Sequence, residues 1–237
     1  MSLIIIPGSA GSGKSTMMFQ RVLQEAAAFP MRRYIVLVPE QNTLQTQKML
    51  VSMSGTGGIW NIDVLSFTRL AYRVFEQTGA KRSRILSETG KVLLLRLIAA
   101  REGDRIPMLS GILDRPGVLG EIKSILSELD QYGIEPETLR QLDQTFRGSG
   151  SHPALARKLS EIALVQEAFE RYQAGHMITG EKLLRVLVEK IPLDETLQGA
   201  TICLDGFTGL TPAQLQVISA LFAKARDILV TVTIDPE

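Results

Sequence analysis

The stretch Pro7-Gly8-Ser9-Ala10-Gly11-Ser12-Gly13-Lys14-Ser15-Thr16 constrains this fold more than any other part of the chain. It follows the apolar run Leu3-Ile4-Ile5-Ile6, which reads as a buried strand, and it opens a segment that reads as helix from Gly13 to about Ala28. Residues 8–15 satisfy the pattern G-x-x-x-x-G-K-[ST]. Glycines let a backbone curl until successive N–H groups converge on phosphate oxygens, and the helix that follows adds its N-terminal dipole. In that geometry Lys14 reaches the β- and γ-phosphates and the Ser15 hydroxyl binds Mg²⁺. The expected nucleotide-binding set is Gly8, Ser9, Ala10, Gly11, Ser12, Gly13, Lys14, Ser15 and Thr16. The plain alternative is a flexible turn between strand and helix.

Such a loop needs a carboxylate at the tip of another buried strand to help hold the metal. Asp205, in Ala200-Thr201-Ile202-Cys203-Leu204-Asp205-Gly206-Phe207, ends an apolar run before a helix, and no other aspartate in the chain is so placed. Its competing role is to start a turn with Gly206. ATPases of the helicase type usually follow that aspartate with a glutamate that orients the attacking water. Gly206 stands there instead, so no catalytic residue is assigned. Glu40, at the end of the second strand, is the nearest substitute. The expectation is nucleotide binding with weak or absent hydrolysis.

Strand and helix signals alternate over the first eighty residues. Tyr34–Val38 and Ile59–Leu65 read as strands, about Thr43–Met53 as a helix, and Ser66 as the N-cap of a helix through Gln77. Continuous apolar strands separated by helices imply a parallel sheet covered on both faces. From residue 87 to 191 apolar residues recur at helical spacing, with turn-prone breaks between them. Strand patterns return at Thr201–Leu204 and 228–234, flanking a helix with Pro212 in its first turn. The expected organisation is an α/β domain over 1–86 and 192–237, interrupted by an all-helical insertion over 87–191. An end immediately after a strand suggests a piece of a longer protein.

Composition narrows the partners. The formal charge of +1 over 237 residues supplies no global field for a polyanion, so any nucleic-acid contact must be local. Cys203 is the only cysteine, which excludes an internal disulfide and any iron–sulfur cluster or multi-cysteine zinc site in this chain. Its apolar surroundings predict a buried structural thiol. The N-terminal apolar run is too short for a signal peptide or membrane span, so a cytoplasmic protein without membrane contact is the default.

Four segments taken together resemble one family: residues 8–15, Val36–Gln47, Ile62–Gly79 and Leu204–Gln214. They are similar to the N-terminal region of AddB-type subunits, which belong to the bacterial AddAB (RexAB-like) ATP-dependent helicase–nuclease. Val38-Pro39-Glu40-Gln41, Leu65-Ser66-Phe67-Thr68-Arg69-Leu70-Ala71 and Asp205-Gly206-Phe207 carry most of the likeness. The resemblance implies a RecA-like P-loop NTPase domain, superfamily 1 helicase-like, with ATP and Mg²⁺ as cofactors. It further implies a complex that processes DNA double-strand ends for recombinational repair, with the AddA-type subunit as partner and motor. The family's nuclease domain and iron–sulfur cluster lie beyond this region. By the same resemblance the segments after the second and third strands touch single-stranded DNA: Gln41, Thr43, Ser66, Phe67, Thr68 and Arg69. Asn42 also suits this role, and Arg73, Lys81, Arg82 and Arg84 would add a local cationic patch.

Two rivals stay open. One is an active superfamily 1 helicase, against which Gly206 argues. The other is a small-molecule P-loop kinase, whose lid usually carries several arginines, whereas the insertion here is rich in leucine and glutamate. A fold that has lost nucleotide affinity is a third possibility. His152 and His176 read as loop residues without metal partners, and Trp60 as a packing residue that opens a strand.

Overall fold

A computed structural model describes residues 2–80, 84–113, 115, 117–150, 152–173 and 177–234. Lys81, Arg82 and His176 lie outside the described residues. The chain divides into two compact units, one made of Met1–Arg82 with Leu183–Glu237 and the other of Ser83–Lys182.

The first unit begins with β1 (Ser2–Gly8), α1 (Lys14–Ala28), β2 (Tyr34–Leu37), α2 (Thr43–Ser54), β3 (Ile62–Leu65) and α3 (Phe67–Thr78). The second contains β4 (Arg84–Ile85), α4 (Glu88–Glu102), α5 (Pro107–Leu113), α6 (Val118–Tyr132), α7 (Pro136–Gly148), α8 (Pro153–Gln173) and β5 (Met177–Ile178). The division falls within α9 (Gly180–Lys190), after which β6 (Thr201–Leu204), α10 (Pro212–Phe222) and β7 (Asp227–Thr233) complete the first unit.

The first unit is α/β. Its five strands run parallel in the order β1-β7-β6-β2-β3. β2 and β6 are buried at every position because they sit inside the sheet with both faces covered. Tyr34, Val36 and Val38 point to one face, where they pack with Met18, Phe19 and Val22 of α1 and Leu50 of α2. Ile35 and Leu37, also fully buried, alternate to the opposite face. Helix boundaries follow local chemistry. Ser66 caps α3 by accepting from the Arg69 N–H, and Thr211 and Gln214 form a reciprocal capping box ahead of Pro212 in α10.

Three expectations need correction. Leu3–Ile6 is not a buried strand, because β1 pairs only with β7 at the sheet edge; Leu3 is 51% and Ile5 57% exposed, and only Ile6 is buried. The third strand starts at Ile62 rather than Ile59, and Trp60 neither opens it nor packs, being 98% exposed. The second unit is not wholly helical, since Arg84-Ile85 and Met177-Ile178 pair as a short parallel bridge. Its core is built from helix faces, with Leu95 and Ile98 of α4, Ile122 and Leu126 of α6 and Ile162, Val165 and Phe169 of α8. Glu161 of α8 accepts from the Met108 and Leu109 N–H groups at 3.0 and 2.8 Å, capping α5 with a buried carboxylate.

Cys203 sits in the middle of β6 with no solvent exposure. Burial pushes its thiol far above the usual range, and the Glu25 charge adds to the shift. A thiol-specific disulfide reagent at mildly alkaline pH should therefore leave Cys203 unlabelled in the folded chain and label it fully in guanidinium. Rapid stoichiometric labelling without denaturant would contradict this core position.

Candidate functional site

All five strands are parallel, so the loops that leave their C-terminal ends share one rim of the sheet. The glycine-rich loop leaves β1 there. Gly11 and Gly13 have φ of 77° and 84°, left-handed conformations that side chains disfavour. A Cβ at Gly8 would stand 2.5 Å from the Ser12 Oγ, so the loop closes tightly on itself. No side chain caps α1 and no acid stands in its first turn, which leaves those N–H groups without a competing side-chain acceptor. Lys14 donates from Nζ to the Ser9 carbonyl at 3.0 Å, so its ammonium curls over the loop.

The Ser15 Oγ donates to the Asp205 Oδ1 at 2.7 Å. Asp205 leaves β6, which is separated from β1 by β7, and its N–H donates to the Leu37 carbonyl at 3.0 Å. Thr231 of β7 donates to the same Oδ1 at 2.6 Å. Asp205 is only 8% exposed, and its carboxylate accepts from two hydroxyls. Thr231 was missed by sequence reasoning, because only the pairing of β7 beside β6 brings it to Asp205. Among the described residues no cluster of three or more His, Cys, Asp or Glu side chains gathers to hold a metal.

Gly206 has φ 75°, and a Cβ there would meet the Asn42 Nδ2 at 3.4 Å and the Pro39 Cδ at 3.6 Å. Its turn carries Phe207 onto Phe67, with ring centroids 5.5 Å apart and planes tilted by 57°. Phe207 is the second residue whose contact the sequence alone did not reveal.

Glu40 is already engaged. Its carboxylate accepts from the Ser66 hydroxyl and pairs with the Arg69 Nε at 3.4 Å. Thr43 donates from its hydroxyl to the Glu40 carbonyl at 3.0 Å. Thr43, Ser66 and Phe67 are buried, Thr68 is half-buried, and Gln41 and Arg69 are exposed. Arg73 pairs with Asp63, which removes it from the expected cationic patch, and Arg84 belongs to the other unit. His152 lies in a turn with φ 54° and its ring meets Phe146 edge-on at 6.1 Å. Among the described residues no helix is long and apolar enough to cross a membrane.

The family description "ADDB, N-terminal" matches residues 5–237. A curated relative from Lachnoclostridium phytofermentans, named as the B subunit of an ATP-dependent helicase/deoxyribonuclease, is 38% identical over 99% of this chain and 20% of its own length. Proteins of the same name from Moorella thermoacetica and Anoxybacillus flavithermus are each 34% identical. The match covers 100% and 99% of this chain but 21% and 20% of theirs, so the chain spans about a fifth of these relatives. Matched from residue 5 to its last residue, and similar along nearly all its length to subunits of one name, the chain belongs to the AddB family as its N-terminal region.

Proposed function

We propose that this chain is the RecA-like, ATP-binding part of a helicase-like subunit that handles single-stranded DNA at double-strand ends and hydrolyses little or no ATP itself. The observation that carries the reading is the hydrogen bond from Ser15 to Asp205, because it brings together the hydroxyl and the carboxylate that a phosphate-bound Mg²⁺ requires. Both are hard oxygen donors, as that ion prefers. The loop glycines and the uncapped start of α1 suit a polyphosphate, and Lys14 is free to exchange the Ser9 carbonyl for phosphate oxygens. Bound Mg²⁺ would neutralise phosphate charge, while Ser15 and Asp205 hold it at the rim and Thr231 orients the carboxylate.

Hydrolysis needs a group that positions water. Gly206 offers none, and Glu40 is taken up by the Ser66 hydroxyl at the start of α3. The segment Glu40–Thr43 and the start of α3 are the DNA-contacting surface in this reading. Gln41 and Arg69 present polar groups to the backbone, while Phe67 is backed by Phe207. Arg69 would exchange Glu40 for phosphate; both side chains are over half exposed, so that pair is weak. The partner is the AddA-type subunit of the helicase–nuclease, DNA ends are the substrate, and the compartment is the cytoplasm.

Calorimetry with ATP and Mg²⁺ should register binding to the chain, and Lys14→Ala should weaken it about tenfold or more. Asp205→Asn should remove most of the metal dependence. Phosphate release should stay far below the ~10 per second typical of enzymes. No heat of binding, or rapid turnover abolished by Lys14→Ala, would contradict the proposal.

Gly206→Glu should not create an ATPase, because its backbone is left-handed and its neighbours are Asn42 and Pro39. The variant should instead lose about 1 kcal/mol or more in urea unfolding. Appearance of hydrolysis would show that the missing acid is the sole defect.

A further inference from the structure

The opposite rim of the sheet, where the parallel strands begin, carries features that the nucleotide site does not use. Hydrogen bonds fix the order of residues along it. The Arg226 N–H donates to the Ala200 carbonyl at 2.9 Å, Thr201 to the Arg33 carbonyl at 3.0 Å, and Tyr34 to the Asn61 carbonyl at 2.8 Å. The rim therefore runs Arg226, Ala200, Arg33, Asn61, with Trp60 beside its last member. The Asn61 Nδ2 lies 3.2 Å from the Ala26 carbonyl, 3.4 Å from that of Phe29 and 3.1 Å from that of Arg32, which ties the intervening turn to the residue after Trp60.

Arg32, Arg33 and Arg226 line one cleft of about 570 Å³ in which Glu195 is the only carboxylate among the described residues. Among the same residues Arg32 and Arg33 have no ion pair; Arg32 instead lies over the Phe29 ring, 3.8 Å from its centroid. Arg226 pairs with Asp227 at 3.3 Å, but more than half of its side chain is exposed. The Thr196 hydroxyl, in the wall of this cleft, is buried without a hydrogen-bond partner. On the other side of the turn Trp60 borders a groove of about 700 Å³ whose polar groups, among them Gln20, Gln24 and Thr56, are neutral. Trp60 is 98% exposed and does not belong to the packed core.

We propose that this rim is a second single-stranded DNA contact, in which Arg32, Arg33 and Arg226 hold phosphates and Trp60 stacks on a base. The inference rests on the reading that the chain handles DNA. Guanidinium forks match phosphate oxygens, and an open indole face stacks on any base. From β7 to β3 is three strand spacings, roughly 14 Å, long enough for a short run of consecutive phosphates. Three guanidiniums stand against Glu195 in the cleft and Asp227 beside Arg226, which leaves this rim locally cationic in a chain of formal charge +1. The four residues of β2 set it ~13 Å from the other rim. The two rims would hold different strands, or separate stretches of one strand. A polypeptide with apolar and acidic side chains is the competing occupant.

Trp60 is the only tryptophan of the chain, so its emission reports this rim alone. Titration with oligothymidylate should quench it, with an affinity that falls as salt rises. Arg32→Ala with Arg33→Ala should weaken the quenching about tenfold or more and lower the salt slope by about 1.4. Trp60→Ala should weaken binding of fluorescein-labelled oligothymidylate, read by anisotropy, about 5- to 100-fold. Circular dichroism should show both variants folded, since these side chains lie at the surface. DNA binding with unchanged Trp60 emission, lost instead in Arg69→Ala, overturns the second contact and leaves the first intact. No DNA binding by anisotropy overturns both. Quenching by polyglutamate but not by oligothymidylate overturns it in favour of a protein partner.

Discussion

The bond between Ser15 and Asp205 joins residues 190 positions apart and two strands apart in the sheet. It depends on β1 and β6 both running parallel to β7, because only then do the loop after β1 and the tip of β6 open on the same rim. β7, inserted between them, supplies Thr231 as a second donor and so fixes the carboxylate from the side. Two hydroxyls on one carboxylate oxygen satisfy an acceptor that burial would otherwise leave unpaired. The glycines of the loop matter for the same reason, since they let the backbone turn back toward Ser15 over a short distance.

Asp205, Gly206 and Phe207 then do three different things in consecutive positions. Asp205 faces the loop, Gly206 turns through a left-handed conformation, and Phe207 reaches Phe67 at the start of α3. The nucleotide reading and the DNA reading are thus connected by one short turn. Glu40 completes the link from the other side, because its carboxylate holds the N-cap Ser66 and Arg69 together. A carboxylate occupied in this way stabilises the start of α3 and is poorly placed to serve as a base.

Much of this was legible in the sequence because it rests on local patterns. The apolar runs of β2 and β6 announce strands covered on both faces, and Ser66 and Pro212 announce helix starts. The motif at 8–15 and the apolar run ending at Asp205 named both members of the central hydrogen bond. What was not legible depends on which strand neighbours which. Leu3 and Ile5 look like core residues until β1 is found at an edge, and Thr231 and Phe207 gain meaning only from strand order and turn geometry. Arg73 looked like a free cation until Asp63 was placed beside it. Trp60 failed for another reason: large apolar residues are usually buried, and nothing local marks the exception.

The central claim is that Ser15 and Asp205 act as one unit. The most direct measurement is a double-mutant cycle, Ser15→Ala with Asp205→Asn, read as the affinity for ATP with Mg²⁺. Strong non-additivity is expected, with either single change costing nearly as much as both and a coupling of about 1 kcal/mol or more. Additive losses, or unchanged affinity in all three variants, would contradict it.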